Sequence, residues 1–181
     1  DHPKNPVSTY GVSKVASEKA LSAYHRVYGL NYVILRFSNV YGSSRDVPER
    51  VVPKFMHLAL TGQPLSVYGG QQLLDFTFLN DVIEGIIRAI EKAEKGDDAV
   101  INQDFNLVSG KGTTILELAE LIRGICRSES NIIIKDRRGF DVSRFVGSYQ
   151  KAKLLLGYMP RHSLLDGLKI YKERICTGEP L

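Results

Sequence analysis

The apolar and polar positions divide the chain into helices and strands that alternate from end to end. Helical spacing of apolar residues begins near Ser8 and lasts to about Tyr28, and Gly29 is a typical residue after a helix. The run 31–37 is β-branched and almost continuously apolar, which is typical of a buried strand. The remaining predicted helices are 53–60, 81–90, 114–125, 148–156 and 163–175, and the remaining predicted strands are 65–67, 75–79, 104–109 and 131–135. This alternation indicates an α/β fold with a largely parallel sheet.

Two of these helix starts carry a capping-box pattern, a polar residue followed three positions later by glutamate. Thr114 with Glu117 predicts one start, and Asp81 with Glu84 predicts the other. The three isoleucines at 132–134 predict a buried strand. The first helix carries an apolar stripe about 80° wide. Its members are Val12, Ala16, Ala20, Ala23 and Val27.

Composition excludes several classes of protein. The 181 residues are 43% hydrophobic and 24% charged, which excludes a disordered, collagen-like or coiled-coil chain. A net charge of +4 suits a small anionic substrate better than nucleic acid, which usually requires a clustered basic stripe. No apolar run approaches the ~20 residues that span a bilayer. We therefore expect neither a nucleic-acid partner nor a membrane partner.

Cysteine and histidine usage argues against disulfide and metal sites. Cys126 and Cys176 form no CxxC motif, so we expect reduced thiols in a cytoplasmic protein. The four histidines are scattered without ligand spacing, and no metal site is expected. The polar, proline-containing opening 1–6 resembles a loop that leads into a helix within a larger protein. An amino terminus that has lost its Met is the alternative.

Tyr10 and Lys14 stand four positions apart in the first predicted helix, so one turn stacks them on the same face. This spacing alone is weak, because most such pairs are solvated surface neighbours. A free phenol ionises near pH 10, and lowering that value to about 7 requires roughly 4 kcal/mol. One cation about 4–6 Å away, at an effective dielectric constant of ~20, supplies roughly 3–4 kcal/mol. The pair therefore suits a general base that works beside an oxidised, positively charged nicotinamide.

Several runs around and beyond this pair stand in one order along the chain. They are PVSTYGVSK (6–14), LRFSNVYG (35–42), PKF (53–55), PLSVYG (64–69), DFTFLNDV (75–82), FNLVSG (105–110) and KAKLLLGYMP (151–160). Together they resemble the carboxy-terminal part of extended short-chain dehydrogenases/reductases of the nucleotide-sugar epimerase/dehydratase family. Each run alone is weak, but their shared order is specific.

The resemblance implies the carboxy-terminal part of a Rossmann-type doubly wound domain together with a small α/β substrate lobe. Residues 1–42 and 81–108 would form a partial NAD-binding domain that lacks its amino-terminal half, and residues 43–80 and 109–181 would form the substrate lobe. NAD is the implied cofactor, with an incomplete site in this chain. The implied partners are a UDP- or dTDP-sugar and a second copy of the chain, bound through the helix of Tyr10 and Lys14.

The resemblance also implies roles for single residues. Tyr10 would deprotonate the sugar 4-hydroxyl while NAD takes the hydride from C4. Lys14 would tune that tyrosine and hydrogen-bond the nicotinamide ribose, and Phe37 would line the cofactor site.

The residues implied in substrate binding are Asn39, Val51, Tyr68, Arg137 and Arg138. Asn39 would contact the diphosphate, Tyr68 would pack on the nucleotide base, and either arginine would bind phosphate. The alternatives are a turn former for Asn39, plain strand packing for Tyr68 and a solvated basic loop for the arginines. We favour the binding role for Asn39 and for one of the two arginines, and the two interpretations of Tyr68 are even.

Three features depart from the family pattern. The glycine-rich turn for the NAD pyrophosphate is absent, because the only G-x-G is Gly110-Lys111-Gly112, which suits a turn before a helix. The catalytic Ser/Thr that partners the tyrosine would lie upstream. Leu74 stands where the family usually has arginine, which removes one expected phosphate contact.

Three functions therefore compete. The first is an NAD-dependent nucleotide-sugar epimerase resembling UDP-glucose 4-epimerase, of which this chain is a fragment. The second is a nucleoside-diphosphate-glucose 4,6-dehydratase. The third, of another class, is a non-catalytic binding protein that keeps the fold and has lost the cofactor site.

Overall fold

The computed structural model describes residues 4–6, 8–139 and 142–178, which alternate between helices and strands. The helices are α1 (Thr9–Tyr28), α2 (Val51–Leu60), α3 (Leu79–Glu94), α4 (Ile115–Cys126), α5 (Gln150–Leu156) and α6 (Leu164–Thr177). The strands are β1 (Val33–Phe37), β2 (Asn39–Tyr41), β3 (Leu65–Tyr68), β4 (Leu73–Phe78), β5 (Gln103–Leu107), β6 (Gly112–Thr114), β7 (Ile132–Lys135) and β8 (Arg144–Phe145). Within the described ranges, every helix is too short or too polar to span a bilayer.

Strand pairing is mostly parallel. β1 pairs with β5, β2 with β4, β3 with β7 and β8 with β4, all in parallel. The short β6 pairs with β4 in the antiparallel direction. The α/β class with parallel sheets is thus confirmed.

Local capping signals determine the ends of two helices. The Ser8 hydroxyl accepts a hydrogen bond from the Gly11 amide at the start of α1, and Gly29 ends that helix with a left-handed φ of 69°. Thr114 and Glu117 form both bonds of the predicted capping box at the start of α4. Both helix starts and the end of α1 are therefore confirmed. The sequence could predict them because each cap is formed by residues only a few positions apart.

The capping box predicted at Asp81 is wrong. α3 begins two residues earlier, at Leu79, and its N-cap residue Phe78 makes no side-chain cap. The buried Asp81 carboxylate accepts a hydrogen bond from the His162 amide at 3.1 Å, and the His162 ring Nδ1 lies 2.8 Å away. A contact across 81 positions has therefore replaced the local cap.

The burial predicted for the isoleucine run 132–134 is also wrong. The strand itself forms, as β7, but Ile133 and Ile134 are 43% and 61% exposed. β7 pairs with β3 in a two-stranded sheet, so its outer edge and part of its surface meet solvent.

Two hydrophobic clusters support these layers. One cluster lies among α2, α4 and α6, with Met56, Leu65, Leu118, Ile122 and Leu168 at its centre. The other contains Phe105 and Leu107 of β5, Ala89 of α3, and Ala152 and Leu156 of α5. α5 thus packs against β5, although the predicted division assigns it to the substrate lobe; the division itself stays a prediction.

Candidate functional site

Tyr10 and Lys14 lie in the first two turns of α1 and face solvent. The Tyr10 side chain is 70% exposed, and the Lys14 ammonium lies 5.3 Å from the centre of the Tyr10 ring. The helical spacing has therefore produced the predicted juxtaposition. Both polar groups can be reached by a ligand.

A partly buried charge contact fixes α1 against β1. The Glu18 carboxylate accepts two hydrogen bonds from Arg36, at 2.6 and 2.9 Å, and one from Lys4 at 2.7 Å. The bonds from Arg36 are the main reason that the pKa of Glu18 falls to about 2; burial opposes this effect, and Lys4 adds to it. The Glu18 side chain is only 15% exposed. This contact holds the helix that carries Tyr10 on the sheet.

The direction of α1 carries Tyr10 to the carboxyl end of β1. Ser22 meets Tyr32 before β1, while Glu18 meets Arg36 near its end, so helix and strand run in opposite directions. Tyr10 lies eight residues before Glu18, which is about 12 Å along the helix axis. Three or four residues of an extended strand after Arg36 cover the same distance. Tyr10 therefore reaches about the level of Asn39. In open α/β sheets, ligands bind at this carboxyl edge.

Phe37, Asn39 and Val51 lie at that same edge. Phe37 ends β1 with 43% of its side chain exposed. The Asn39 side-chain amide donates a hydrogen bond to the Asp75 carbonyl oxygen at 3.0 Å, which orients it. Asn39 and Val51 line one cavity of about 190 Å³, with the Asp46–Arg50 ion pair on its wall. The structure thus brings together two predicted substrate residues that are 12 positions apart.

Tyr68, Arg137 and Arg138 form a second group, at the point where the paired strands β3 and β7 end. The Arg138 guanidinium lies 4.9 Å from the centre of the Tyr68 ring, and the Lys135 ammonium lies 5.5 Å from it. Arg137 donates a hydrogen bond to the Ser143 hydroxyl at 2.7 Å. An aromatic face beside several cations suits a planar, anionic ligand.

Leu74 lies in β4, opposite Thr113 and Phe145, and packs against the first hydrophobic cluster. Its apolar side chain supplies no phosphate contact at this position. The weaker diphosphate binding predicted from Leu74 stays a prediction.

Sequence reasoning missed Asp75, a fully buried carboxylate in β4. One of its oxygens accepts from the Ser109 amide at 3.0 Å, the Ser109 hydroxyl at 2.7 Å and the Thr77 hydroxyl at 3.2 Å. The other accepts from the Gly110 amide at 2.8 Å. Asp75 therefore ties β4 to the loop after β5, and the only available signal was an acid within an apolar strand.

The same loop contains the G-x-G of the chain. Gly110 has a φ of 75° and donates to Asp75, and Gly112 begins β6. The predicted turn before α4 is thus partly a strand. Its backbone amides bind a side chain of the protein itself.

Comparisons with known proteins identify the family of the chain. A sequence profile described as "NAD dependent epimerase/dehydratase family" matches residues 1–107. An uncharacterised UDP-glucose epimerase of Bacillus subtilis, YtcB, is 33% identical over 179 residues, covering 97% of this chain and 55% of that protein. A dTDP-glucose 4,6-dehydratase of Actinoplanes sp. is 33% identical over 170 residues, covering 92% of this chain and 51% of that protein.

A solved structure gives the same picture. The UDP-glucose 4-epimerase of Thermotoga maritima, crystallised with UDP-glucose, superposes with a TM-score of 0.89 at 34% identity, over 96% of this chain and 55% of that one. The chain therefore spans about half the length of these relatives. The matched profile covers more than half of the 181 residues and includes Tyr10, Lys14 and Asn39. The chain belongs to the NAD-dependent epimerase/dehydratase family.

Proposed function

We propose that the protein is an NAD-dependent nucleotide-sugar 4-epimerase, and that this chain supplies its general base and most of its sugar-nucleotide contacts. The observation that carries the proposal is the exposed Tyr10–Lys14 pair on α1. In a member of this family, a phenol beside an ammonium at the carboxyl edge of a parallel sheet has a direct chemical use.

Tyr10 would take the proton of the sugar 4-hydroxyl, because a phenolate is a competent oxygen base once a cation offsets its charge. Lys14 supplies that cation from one helical turn away. Both groups are exposed to solvent, which screens this contact, so the ammonium would act most strongly on the phenolate once a bound ligand excludes water. Inversion requires that hydride return to the opposite face of carbon 4 once the sugar has rotated, and Tyr10 would then return the proton to oxygen 4.

The donor set fits the nicotinamide end of NAD. The Tyr10 hydroxyl and the Lys14 ammonium can hydrogen-bond ribose hydroxyls, and Phe37 offers an exposed aromatic surface at the carboxyl end of β1. When bound, NAD supplies the hydride acceptor for carbon 4 of the sugar. These 181 residues contain no glycine-rich pyrophosphate turn, so the chain forms only part of the cofactor site.

The sugar nucleotide would extend from this edge toward β3. The Asn39 amide, oriented by the Asp75 carbonyl, would contact the diphosphate, with Val51 beside it in the same cavity. Tyr68 would pack on the base, and Arg137 or Arg138 would bind phosphate. These roles rest on the family resemblance and on the proximity of the side chains.

The test uses the longest protein that the gene encodes, assayed with NAD and UDP-glucose or dTDP-glucose. Tyr10→Phe keeps the ring and removes the base, so turnover should fall by about 10²–10⁴-fold while the fold is retained. Lys14→Met keeps the stem of the side chain, and its residual activity should rise with pH. Near-normal turnover of Tyr10→Phe, or an unchanged pH profile of Lys14→Met, contradicts the proposed roles.

The product distinguishes the remaining candidate functions. A 4-epimerase product has the mass of its substrate, whereas a 4,6-dehydratase product is lighter by one water. The identity to the Actinoplanes dehydratase keeps that second reaction open. A non-catalytic relative would bind UDP-glucose in calorimetry without converting it.

We also propose a homodimer formed through α1. Val12, Ala16, Ala20 and Val27 of its apolar stripe are exposed, and small residues permit close helix packing. Ala20→Glu should convert a dimer to a monomer in sedimentation, whereas Leu154→Glu, at an exposed leucine of α5, should not. A monomer at high concentration of the unmodified protein contradicts the proposal.

The free thiols of Cys126 and Cys176 support our placement of the protein in the cytoplasm.

A further inference from the structure

Five charged side chains of alternating sign form a row from the segment before α1 to α5. In order they are Lys4, Glu18, Arg36, Asp104 and Lys151. Arg36 is central, because its guanidinium donates to both Glu18 on α1 and Asp104 on β5. A bidentate guanidinium gives this joint a defined geometry that a lysine could not.

Besides Arg36 and Lys4, Glu18 has a third cation within reach, Lys14 on its own helix. It stands four residues after Lys14, a spacing at which oppositely charged side chains form ion pairs. Glu18 is also the one acidic residue within α1. Arg36 nevertheless binds both Glu18 oxygens, at 2.6 and 2.9 Å, and Lys4 adds a third donor at 2.7 Å. The Lys14 ammonium lies instead over the Tyr10 ring, at 5.3 Å.

We propose that Arg36 is a positioning residue of the Tyr10–Lys14 pair: by occupying Glu18, it keeps the Lys14 ammonium beside the phenol of Tyr10. This inference rests on the proposed role of Tyr10 as the base. Without Arg36, the Glu18 carboxylate would lose its main partner, and it stands one helical turn from Lys14. It would attract the ammonium and add a negative charge near the phenol. Both changes disfavour the phenolate.

The charged groups that face this part of α1 define the variants. Lys14 and Glu18 belong to the helix itself, Lys4 precedes it, Arg36 comes from β1, and Asp104 comes from β5 behind Arg36. Arg36→Met removes two of the three hydrogen bonds that Glu18 accepts and leaves the one from Lys4. Glu18→Gln removes the carboxylate that would capture Lys14. The double variant removes both, so it separates electrostatic capture from a loss of packing.

The experiment measures the ionisation of Tyr10 directly, by NMR of the 181-residue chain labelled with ¹³Cζ-tyrosine. The chain has nine tyrosines, and the signal that disappears in Tyr10→Phe identifies the one required. Arg36→Met should raise the titration midpoint of Tyr10 by about 0.15–0.4 pH units, which is the strength of an exposed helical ion pair converted at about 1.36 kcal/mol per unit. Glu18→Gln should not raise it, and the double variant should return within about 0.1 unit of the unmodified chain.

An unchanged midpoint in Arg36→Met overturns the proposal. So does a raised midpoint that persists in the double variant, because Arg36 would then act through the fold alone. If Arg36→Met does not fold, Arg36→Gln removes the charge, keeps a hydrogen-bond donor for Asp104, and enters the same comparison. The titration needs neither substrate nor cofactor, so its outcome is independent of whether the protein turns over nucleotide sugars.

Discussion

Replacing Asp75 by asparagine changes one atom at the centre of a buried hydrogen-bond cluster. The carboxylate has four donors: the amide and hydroxyl of Ser109 and the Thr77 hydroxyl on one oxygen, and the Gly110 amide on the other. Asparagine has the same shape, but its NH₂ group replaces one acceptor. In either orientation of the amide, that NH₂ group faces at least one backbone N–H.

The magnitude follows from the orientation that keeps the oxygen on Ser109. The lost bond from Gly110 to a charged acceptor accounts for about 1.5–3 kcal/mol, and a buried donor left without an acceptor costs a further 1–3 kcal/mol or so. We therefore expect the free energy of unfolding to fall by about 3–5 kcal/mol. For a chain of this size, that loss lowers the melting temperature by on the order of 10 °C.

Urea unfolding followed by circular dichroism measures this loss by linear extrapolation. The matched control is Asp98→Asn, the same chemical change at an exposed aspartate after α3, which should alter stability by less than about 0.5 kcal/mol. If the free energies of unfolding of Asp75→Asn and Asp98→Asn differ by less than about 1 kcal/mol, the four hydrogen bonds do not stabilise the fold by the expected amount. Ser109→Ala should lose less than Asp75→Asn, because the Gly110 bond remains.

Two further outcomes can be checked by the same unfolding assay. Glu18 has its pKa lowered by Arg36 to about 2, so its stabilisation is complete above the ordinary value near 4.5 and is lost as pH falls toward 2. After allowance for solvent screening, Glu18→Gln should lower the free energy of unfolding by about 1–2 kcal/mol at pH 7 and by markedly less at pH 3. An equal loss at the two pH values contradicts the link between the pKa of Glu18 and stability. Gly167→Ala should cost about 1–3 kcal/mol, because its Cβ would collide with the Tyr41 hydroxyl. Gly124→Ala, in an open helical position, should instead stabilise by up to about 1 kcal/mol, and equal effects at the two glycines refute the packing argument.

The sequence by itself was sufficient for features that neighbouring residues decide. The ends of α1 at Ser8 and Gly29, and the start of α4 at Thr114, follow from hydrogen bonds within one helical turn. The stacking of Tyr10 and Lys14 follows from the 3.6-residue repeat. The parallel α/β class follows from the alternation of strand and helix patterns.

The family order of motifs predicts site residues that local patterns alone could not assign. Asn39 and Val51 share a cavity, and Tyr68 and Arg138 are in contact, as binding residues should be. Their roles in substrate binding stay predictions.

Only the tertiary structure decided which polar groups meet across long stretches of chain. Asp81 accepts a hydrogen bond from the His162 amide instead of forming the predicted helix cap. Asp75 accepts hydrogen bonds from Ser109 and Gly110. The exposure of Ile134 likewise depends on β7 being an edge strand. The packing of helices and strands determines which side chains are buried and which partner each polar side chain contacts. Local pattern carries no information about a partner 34 or 81 positions away.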